Sequence, residues 1–375
     1  MTYSYFQGHR PMIFDDHRNS LYESAIRKLV TPDSVVLDLG AGLGQLGLIA
    51  ARAGAKQVYL AEPSLEPELI RQIVTQNADA ERVKIIHSKI EETRLPAPVD
   101  LIISVFTGNF LLEEDLIPSL FYARDHYLKE SGCMIPDCST MEIAAVTVPD
   151  TFSKYISTWS DPSQDIHFES LRKYAANTIY YEKYNDHEAL YLSEPAQLLH
   201  MNFHTAKKAE CNETVTLEMN RAGLCHGIIG WFTARIGKEW LSTAPHAPGT
   251  HWSQAWLPLD PPLEVKPGEL MEFHLQRHEF GEWSWSVRLD QSEQKHSTFL
   301  SGPLSTRSVQ RKSENYKASL DEKGRAALYV LQKFNGEVPT ITIARDIAAT
   351  WPELFPDVDY ARQFVTRLIE RYCSD

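Results

Sequence analysis

The sequence predicts a Rossmann-type α/β domain, then a mostly antiparallel β domain, then a small helical domain. Three observations carry this reading. Apolar strand segments alternate with helical segments up to about residue 136, the pattern of a doubly wound parallel sheet. From Asp137 the texture turns β-rich and alternating, broken by Gly, Pro and Asn turns, as in a barrel or sandwich. From about 305 a polar, somewhat basic, linker-like stretch leads into three helical segments.

Taken in order, residues 19–30 ("NSLYESAIRKLV") set Leu21, Ala25 and Leu29 at helical spacing. "SVVLDLG" is a short apolar strand ending in glycine, and "QLGLIAARAGA" the helix after it. "QVYLAE" is a second strand closing on an acid, Glu62. "VKIIHSKIEE" and "DLIISVF" are two further strands, and "DLIPSLFYARDHYL" a helix. "TMEIAAVTV", "TVTLEM", "GIIGWFTARI", "LMEFHLQRH" and "WSWSVRLD" are strands of the β domain, interrupted by a helix-prone insert at about 150–190. "ALYVLQKF", "IARDIAATWPELF" and "DYARQFVTRLIERY" read as helices, the last with Tyr360, Phe364, Leu368 and Tyr372 on one face. The expected domains are therefore 1–136, 137–304 and 305–375.

A length of 375 residues exceeds what one core serves, in keeping with two or three domains. The formal charge of -13 argues against broad binding to nucleic acid or anionic membrane and suits attraction of a cation. No apolar run approaches the roughly 20 residues of a membrane span, and the start of the chain lacks a signal-peptide core. Cys133, Cys138, Cys211, Cys225 and Cys373 are scattered, with no CxxC pair, so no disulfide framework or zinc site is expected and a reducing cytoplasm fits. His200 and His204 in "HMNFHT" have an i, i+4 spacing but no third ligand nearby, and no metal is expected.

"VVLDLGAGLG" puts Gly40, Gly42 and Gly44 between a strand and a helix, where a side chain would block close approach of backbone to a ligand. Glu62, at the end of the next strand, stands where an acid accepts hydrogen bonds from a ribose diol. A dinucleotide and S-adenosylmethionine both use such a turn. Asp38 favours the second, since that ligand has no pyrophosphate to repel and has a cationic methionine moiety to hold.

Several motifs, in order, resemble those of the protein arginine methyltransferases over roughly residues 3–304. His9, Met12, Asp15, Arg18 and Tyr22 match an H-x2-M-x2-D-x2-R-x3-Y helix. "VVLDLGAGLG", "SKIEE", "YARDHYLKESGCMIPD" and the Thr250-His251-Trp252 loop match the others. The resemblance implies that Arg18 pairs with the donor's carboxylate and that His9 and Met12 close over it. It implies further that Gly40 and Gly42 line the donor, Glu62 holds its ribose, and Ile90 and Glu91 frame the adenine. Tyr3 and Phe6 would complete the lid, although the family's YFxxY segment is only half present. The 150–190 insert occupies the position of the family's dimerisation arm, which implies a homodimer.

The loop "SVFTGNFLLEED" (Ser104–Asp115) departs from the pattern. The family reads S-E-x-x-G there, with a second Glu nine residues after the first, and both carboxylates grip the acceptor guanidinium. Here Ser104, Gly108 and the second acid, Glu114, fit, but Val105 replaces the first acid. Phe106 and Thr107 replace a Trp and a Met. Glu113 and Asp115 read as helix N-terminal acids. His251 is expected to support the substrate carboxylate from the barrel side.

The expected function is methyl transfer from S-adenosylmethionine to a guanidinium or related nitrogen of a protein, peptide or small molecule, with Glu114 and His251 as catalytic residues. Two alternatives stand beside it: a non-guanidinium acceptor suited to the more apolar loop, and a donor-binding pseudoenzyme that regulates a partner. The last 70 or so residues lie outside the resemblance and suggest a winged-helix or helix-turn-helix unit for docking peptide or protein.

Overall fold

The computed structural model describes residues 5–77, 80–162, 165–185, 188–311 and 313–373. The chain divides into two compact units, Met1–Pro303 and Leu304–Asp375.

The first unit begins with a helical turn, Phe6–His9, and helices α1 (Arg10–Ile13) and α2 (Asp16–Leu29). Asp15 caps α2 by accepting the Arg18 backbone N–H at 3.0 Å. A five-stranded parallel sheet follows, in the order β3-β2-β1-β4-β5: β1 (Val35–Leu39), β2 (Gln57–Ala61), β3 (Val83–Ile86), β4 (Val99–Ser104) and β5 (Leu128–Ile135). Helices α3 (Gln45–Arg52), α4 (Pro67–Asn77) and α5 (Ile117–Tyr127) connect them. The central strands β1, β2 and β4 are apolar on both faces because helices cover both sides. The order reverses between β1 and β4, and the crevice at the carboxyl ends of these strands is where such folds bind ligands.

The antiparallel part, barrel-like, comprises two sheets. One has the path β7-β13-β11-β6-β8, with β9 on β6 and β12 on β11; the other runs β10-β14-β15-β16. The strands are β6 (Cys138–Thr147), β7 (Tyr180–Glu182), β8 (Leu190–Tyr191), β9 (Ala196–Asn202), β10 (Cys211–Glu218), β11 (Gly223–Ile236), β12 (Glu239–Ser242), β13 (Gln254–Val265), β14 (Leu270–Arg277), β15 (Ser284–Leu289) and β16 (Ser292–Ser297). Between β6 and β7 lie the short helices α6 (Pro149–Tyr155) and α7 (Arg172–Ala175), on the predicted insert. Buried Arg124 of α5 fastens the α/β part to this one by donating from Nη1 to the carbonyls of Phe203 and Ala206.

Two expectations need correction. "VKIIHSKIEE" forms a strand only to Ile86, and Ile90–Glu92 is a 3-10 turn at the crevice. Glu113 and Asp115 do not sit in a helix: α5 starts at Ile117, its first turn holds no acid, and the stretch Val105–Asp115 after β4 is a loop.

The second unit has a short helix α8 (Thr306–Arg311) and three longer ones, α9 (Glu322–Gln332), α10 (Thr340–Thr350) and α11 (Val358–Tyr372). Asp321 and Asp357 cap α9 and α11. Its core is Ala326, Val330, Ile343, Ala344, Ile347, Phe355, Ala361 and Val365. The face predicted for α11 is thus rotated. Ala361 and Val365 are buried, Phe364 and Leu368 only partly, while Tyr360 and Tyr372 are exposed. The small Ala361 allows the close approach of α10, which an aromatic there would prevent.

Candidate active site

The glycine turn after β1 adopts left-handed backbone, with φ of 69° at Gly40 and 55° at Gly42. The turn bonds to the neighbouring strand, since the Gly40 and Ala41 N–H groups both donate to the Ala61 carbonyl. A Cβ on Gly40 would lie 2.2 Å from the Phe106 ring, and one on Gly42 would lie 2.8 Å from His9. The floor is therefore closely overlain by one residue from the loop and one from the N-terminal segment.

Two cavities meet at Gly40. The smaller, about 50 Å³, is lined by residues that include His9, Met12, Arg18, Asp38, Gly42, Gln45 and Val105. The larger, about 540 Å³, includes Ile90, Glu91, Phe106 and Ser119 in its lining. His9, Met12, Arg18, Asp38, Gly40, Gly42, Ile90 and Glu91 thus converge on one crevice, with Glu62 behind its floor against Gly42. Tyr3 lies outside the described residues. Phe6 is exposed and lines neither cavity.

The buried acids Glu62 and Asp38 are held by backbone N–H groups. Glu62 is buried; its Oε2 accepts the Gly42 N–H at 2.9 Å and its Oε1 the Ser64 N–H at 2.7 Å. Asp38 accepts the Gly47 N–H at 2.7 Å, which anchors the first turns of α3. Burial pushes the Asp38 carboxyl up to about 7, against the pull of that N–H. Arg18 is 3% exposed. Its Nη2 donates to the Met12 carbonyl at 2.8 Å and to Asn19, while Nη1 finds no acceptor among the described residues. Gln45 Oε1, buried in the wall, also finds no donor there. A buried cation with a spare donor, a spare amide oxygen and a glycine floor suit a zwitterionic amino-acid moiety.

The loop after β4 is fixed from the outside. Tyr22 donates to the Ser104 carbonyl at 2.9 Å, Trp252 Nε1 to the Thr107 carbonyl at 2.8 Å, and the Ser253 N–H to Asn109 at 2.8 Å. Phe110 is fully buried and stacks on Trp283 with ring centroids 5.4 Å apart. It presses on β11 where Gly230 leaves room: a Cβ there would lie 2.4 Å from the ring. Asp115 receives Arg277 Nη2 on both oxygens at 2.8 Å and also the Phe280 N–H. Arg277 is buried above the Trp283 ring, and its Nε and Nη1 have no acceptor among the described residues.

His251 is tied to Asp15. The backbone N–H donates to Asp15 Oδ2 at 2.7 Å, and ring Nδ1 lies 2.8 Å from the same oxygen. Asp15 loses hydration on burial, yet the His251 and Arg18 donors hold its carboxyl below the usual range. Burial lowers the His251 pKa, which leaves a neutral ring with Nδ1–H toward Asp15. Val105 lines the smaller cavity as an apolar wall, while the Glu114 side chain packs against Gly108.

Sequence reasoning gave no part to Gln45 or Arg277, and no role to Asp15. Asp15 was findable, since Asp three residues before Arg18 is a helix-capping signal. Arg277 carried none, because its partner is 162 positions away.

Comparison with known proteins follows the same lines. A family model described as the arginine methyltransferase oligomerization subdomain matches residues 137–290. Protein arginine N-methyltransferase 2 of Xenopus tropicalis is 31% identical over 283 residues, covering 72% of this chain, and the chain spans 65% of that relative's length. Protein arginine N-methyltransferase 1.1 of Arabidopsis thaliana is 30% identical over 275 residues, covering 72% of this chain and 70% of the relative. Among solved structures, the Trypanosoma brucei PRMT1 enzyme-prozyme heterotetrameric complex with AdoHcy superposes with a TM-score of 0.72 at 27% identity, covering 79% of this chain and 99% of that one.

Proposed function

The chain belongs to the protein arginine methyltransferase family, and from that premise we propose that it transfers the methyl group of S-adenosylmethionine to a guanidinium nitrogen of a protein, peptide or small molecule. The observation that carries the proposal is the crevice at the end of β1, where buried Arg18, Glu62 and two left-handed glycines meet. When bound, the donor supplies a methyl group activated by its sulfonium.

The chain's own residues do the rest. Arg18 offers Nη1 to the donor carboxylate, and Gln45 Oε1 offers an acceptor to its ammonium. Glu62, fixed by two N–H groups, keeps lone pairs for the ribose hydroxyls. Ile90 and Glu91 frame the adenine, with Glu91 positioned by the Ser119 hydroxyl at 2.5 Å. Asp38 adds negative charge beneath a cationic ligand. On the other side Glu114 holds the acceptor cation, and His251, ordered by Asp15, fixes the wall beside it. Placing the two reactants in line is the larger part of the rate enhancement in such a displacement.

A homodimer is proposed through the insert between β6 and β7, where Ile166, Phe168 and Leu171 are exposed. The five free thiols and the absence, among the described residues, of a helix long and apolar enough to cross a membrane support a cytoplasmic setting. A second reading rests on Val105: an apolar group in place of an acid suits a less cationic acceptor. One experiment separates the readings. Calorimetry with the donor and its demethylated product should show binding, and tritium transfer should label arginine peptides or free arginine. Binding without label on any guanidinium would select the second reading. No binding by folded protein would end both.

A further inference from the structure

Resting on the guanidinium reading, we propose that Glu113 supplies the second carboxylate of the acceptor site, taking over from the acid that Val105 replaces. The loop's course is what allows it. Gly108 and Leu111 exchange backbone hydrogen bonds in a tight reversal, with Leu111 at φ 50° and Asp115 at φ 55°. Successive side chains on an extended strand point to opposite faces. Here both adjacent acids return over Gly108. A Cβ built on that glycine would lie 3.0 Å from Glu113 Cβ, 3.0 Å from Glu114 Cγ and 3.2 Å from Glu113 Oε2. Both acidic side chains therefore pack over one glycine, three residues beyond Val105, with their charges within electrostatic reach of each other.

Glu113 is also pre-set. Its Oε2 accepts the Asn109 backbone N–H at 3.0 Å and side-chain amide at 3.2 Å, while Oε1 accepts no hydrogen bond among the described residues. Burial raises its carboxyl above the ordinary range, Asn109 counters this, and the neighbouring Glu114 charge raises it further. A cation placed beside the two acids is attracted by both. Arg277 of the barrel wall is engaged by Asp115. Tyr181 of β7 lies within electrostatic reach of Glu113, Arg277 and Glu114, so the pair faces the barrel. A guanidinium stays protonated near neutral pH and presents a planar fork of donors suited to two acceptor groups.

The test compares full-length wild type, Glu113→Gln and Val105→Glu/Glu113→Gln. Calorimetry with the donor's demethylated product establishes that each folds and binds on the donor side. Affinities for an arginine peptide and its uncharged citrulline analogue are then measured in that product's presence, and methyl transfer to the arginine peptide is followed with the donor. Glu113→Gln should lower kcat/KM for the arginine peptide about 10- to 100-fold, in line with a lost charge-assisted bond. It should also collapse the arginine-over-citrulline preference, and Val105→Glu should restore both. Equal weakening of the two peptides, or no rescue, would show that Glu113 only braces Asn109 and overturn the proposal. So would a variant indistinguishable from wild type. Wild type that binds the donor product but labels no guanidinium would strike the guanidinium reading itself, and the pair with it.

Discussion

The donor crevice and the acceptor loop adjoin at Ser104, yet they are built by opposite means. In the crevice the acids Glu62 and Asp38 are held by backbone N–H groups within twenty residues of them: Glu62 by Gly42 and Ser64, Asp38 by Gly47. In the loop the contacts come from far along the chain: Trp252 to Thr107, Ser253 to Asn109, Arg277 to Asp115, Gly230 beneath Phe110. A site made by its own backbone tolerates change in its surroundings and not in its turn. A site clamped from outside can be retuned by residues that never meet the ligand.

This contrast can be broken or sharpened by mutation. The largest effect is expected from Arg277→Met, which leaves Asp115 without its cation. We expect a loss of about 2–4 kcal/mol, below the 3–5 typical of breaking a fully buried pair, since the Asp115 carboxylate is 29% exposed. Denaturant unfolding measures it. Acceptor turnover should fall with it while donor affinity holds, and a matching drop in donor affinity would erase the distinction. Arg18→Ala is the converse. Losing one charge-assisted contact should weaken donor binding by roughly 10- to 150-fold by calorimetry, with the loop intact.

Next in size is Gly230→Ala. Its methyl group meets a ring wedged against Trp283, an overpacking that costs about 1–3 kcal/mol. It should reduce acceptor turnover and spare donor binding; unchanged turnover would show that Phe110 does not position the loop. The smallest effect is a pH dependence at Asp38. Its folded carboxyl sits near 7 and its unfolded one near the ordinary value of 3.8, so the folded chain binds the proton more tightly. That stabilisation is full below about 4 and is lost as pH rises through about 7. Asp38→Asn does not titrate. Its melting temperature relative to wild type should therefore rise steadily between pH 5 and pH 8. A flat difference would place the charge of Asp38 elsewhere.

The same contrast explains what could be read from the chain alone. The alternation of strands and helices, the glycine turn with Asp38 and Glu62, and the spacing of His9, Met12 and Arg18 are local patterns, and the structure gathers these residues at one crevice. The fate of Glu113 and Asp115 was not legible. Beside a predicted helix they read as acids favoured by its dipole, and only the reversal at Leu111 and the arrival of Arg277 give them other partners. The buried face of α11 failed for a related reason. Tyr360, Phe364, Leu368 and Tyr372 make the more apolar-looking stripe, but contact with α10 selects the slimmer one through Ala361 and Val365.

One carboxylate has a reach beyond its own neighbourhood. Asp15 clasps the first turn of the helix that carries Arg18 and, with its other oxygen, the loop that carries His251, 236 positions later. The helix cannot swing aside to exchange spent donor without releasing that loop. Ligand traffic on the two sides is thereby geared together, and turnover should follow a compulsory order: donor first in, methylated acceptor first out, demethylated donor last. Product-inhibition kinetics will register that gearing as competition between the donor and its demethylated form alone, and Asp15→Asn should loosen it toward random order.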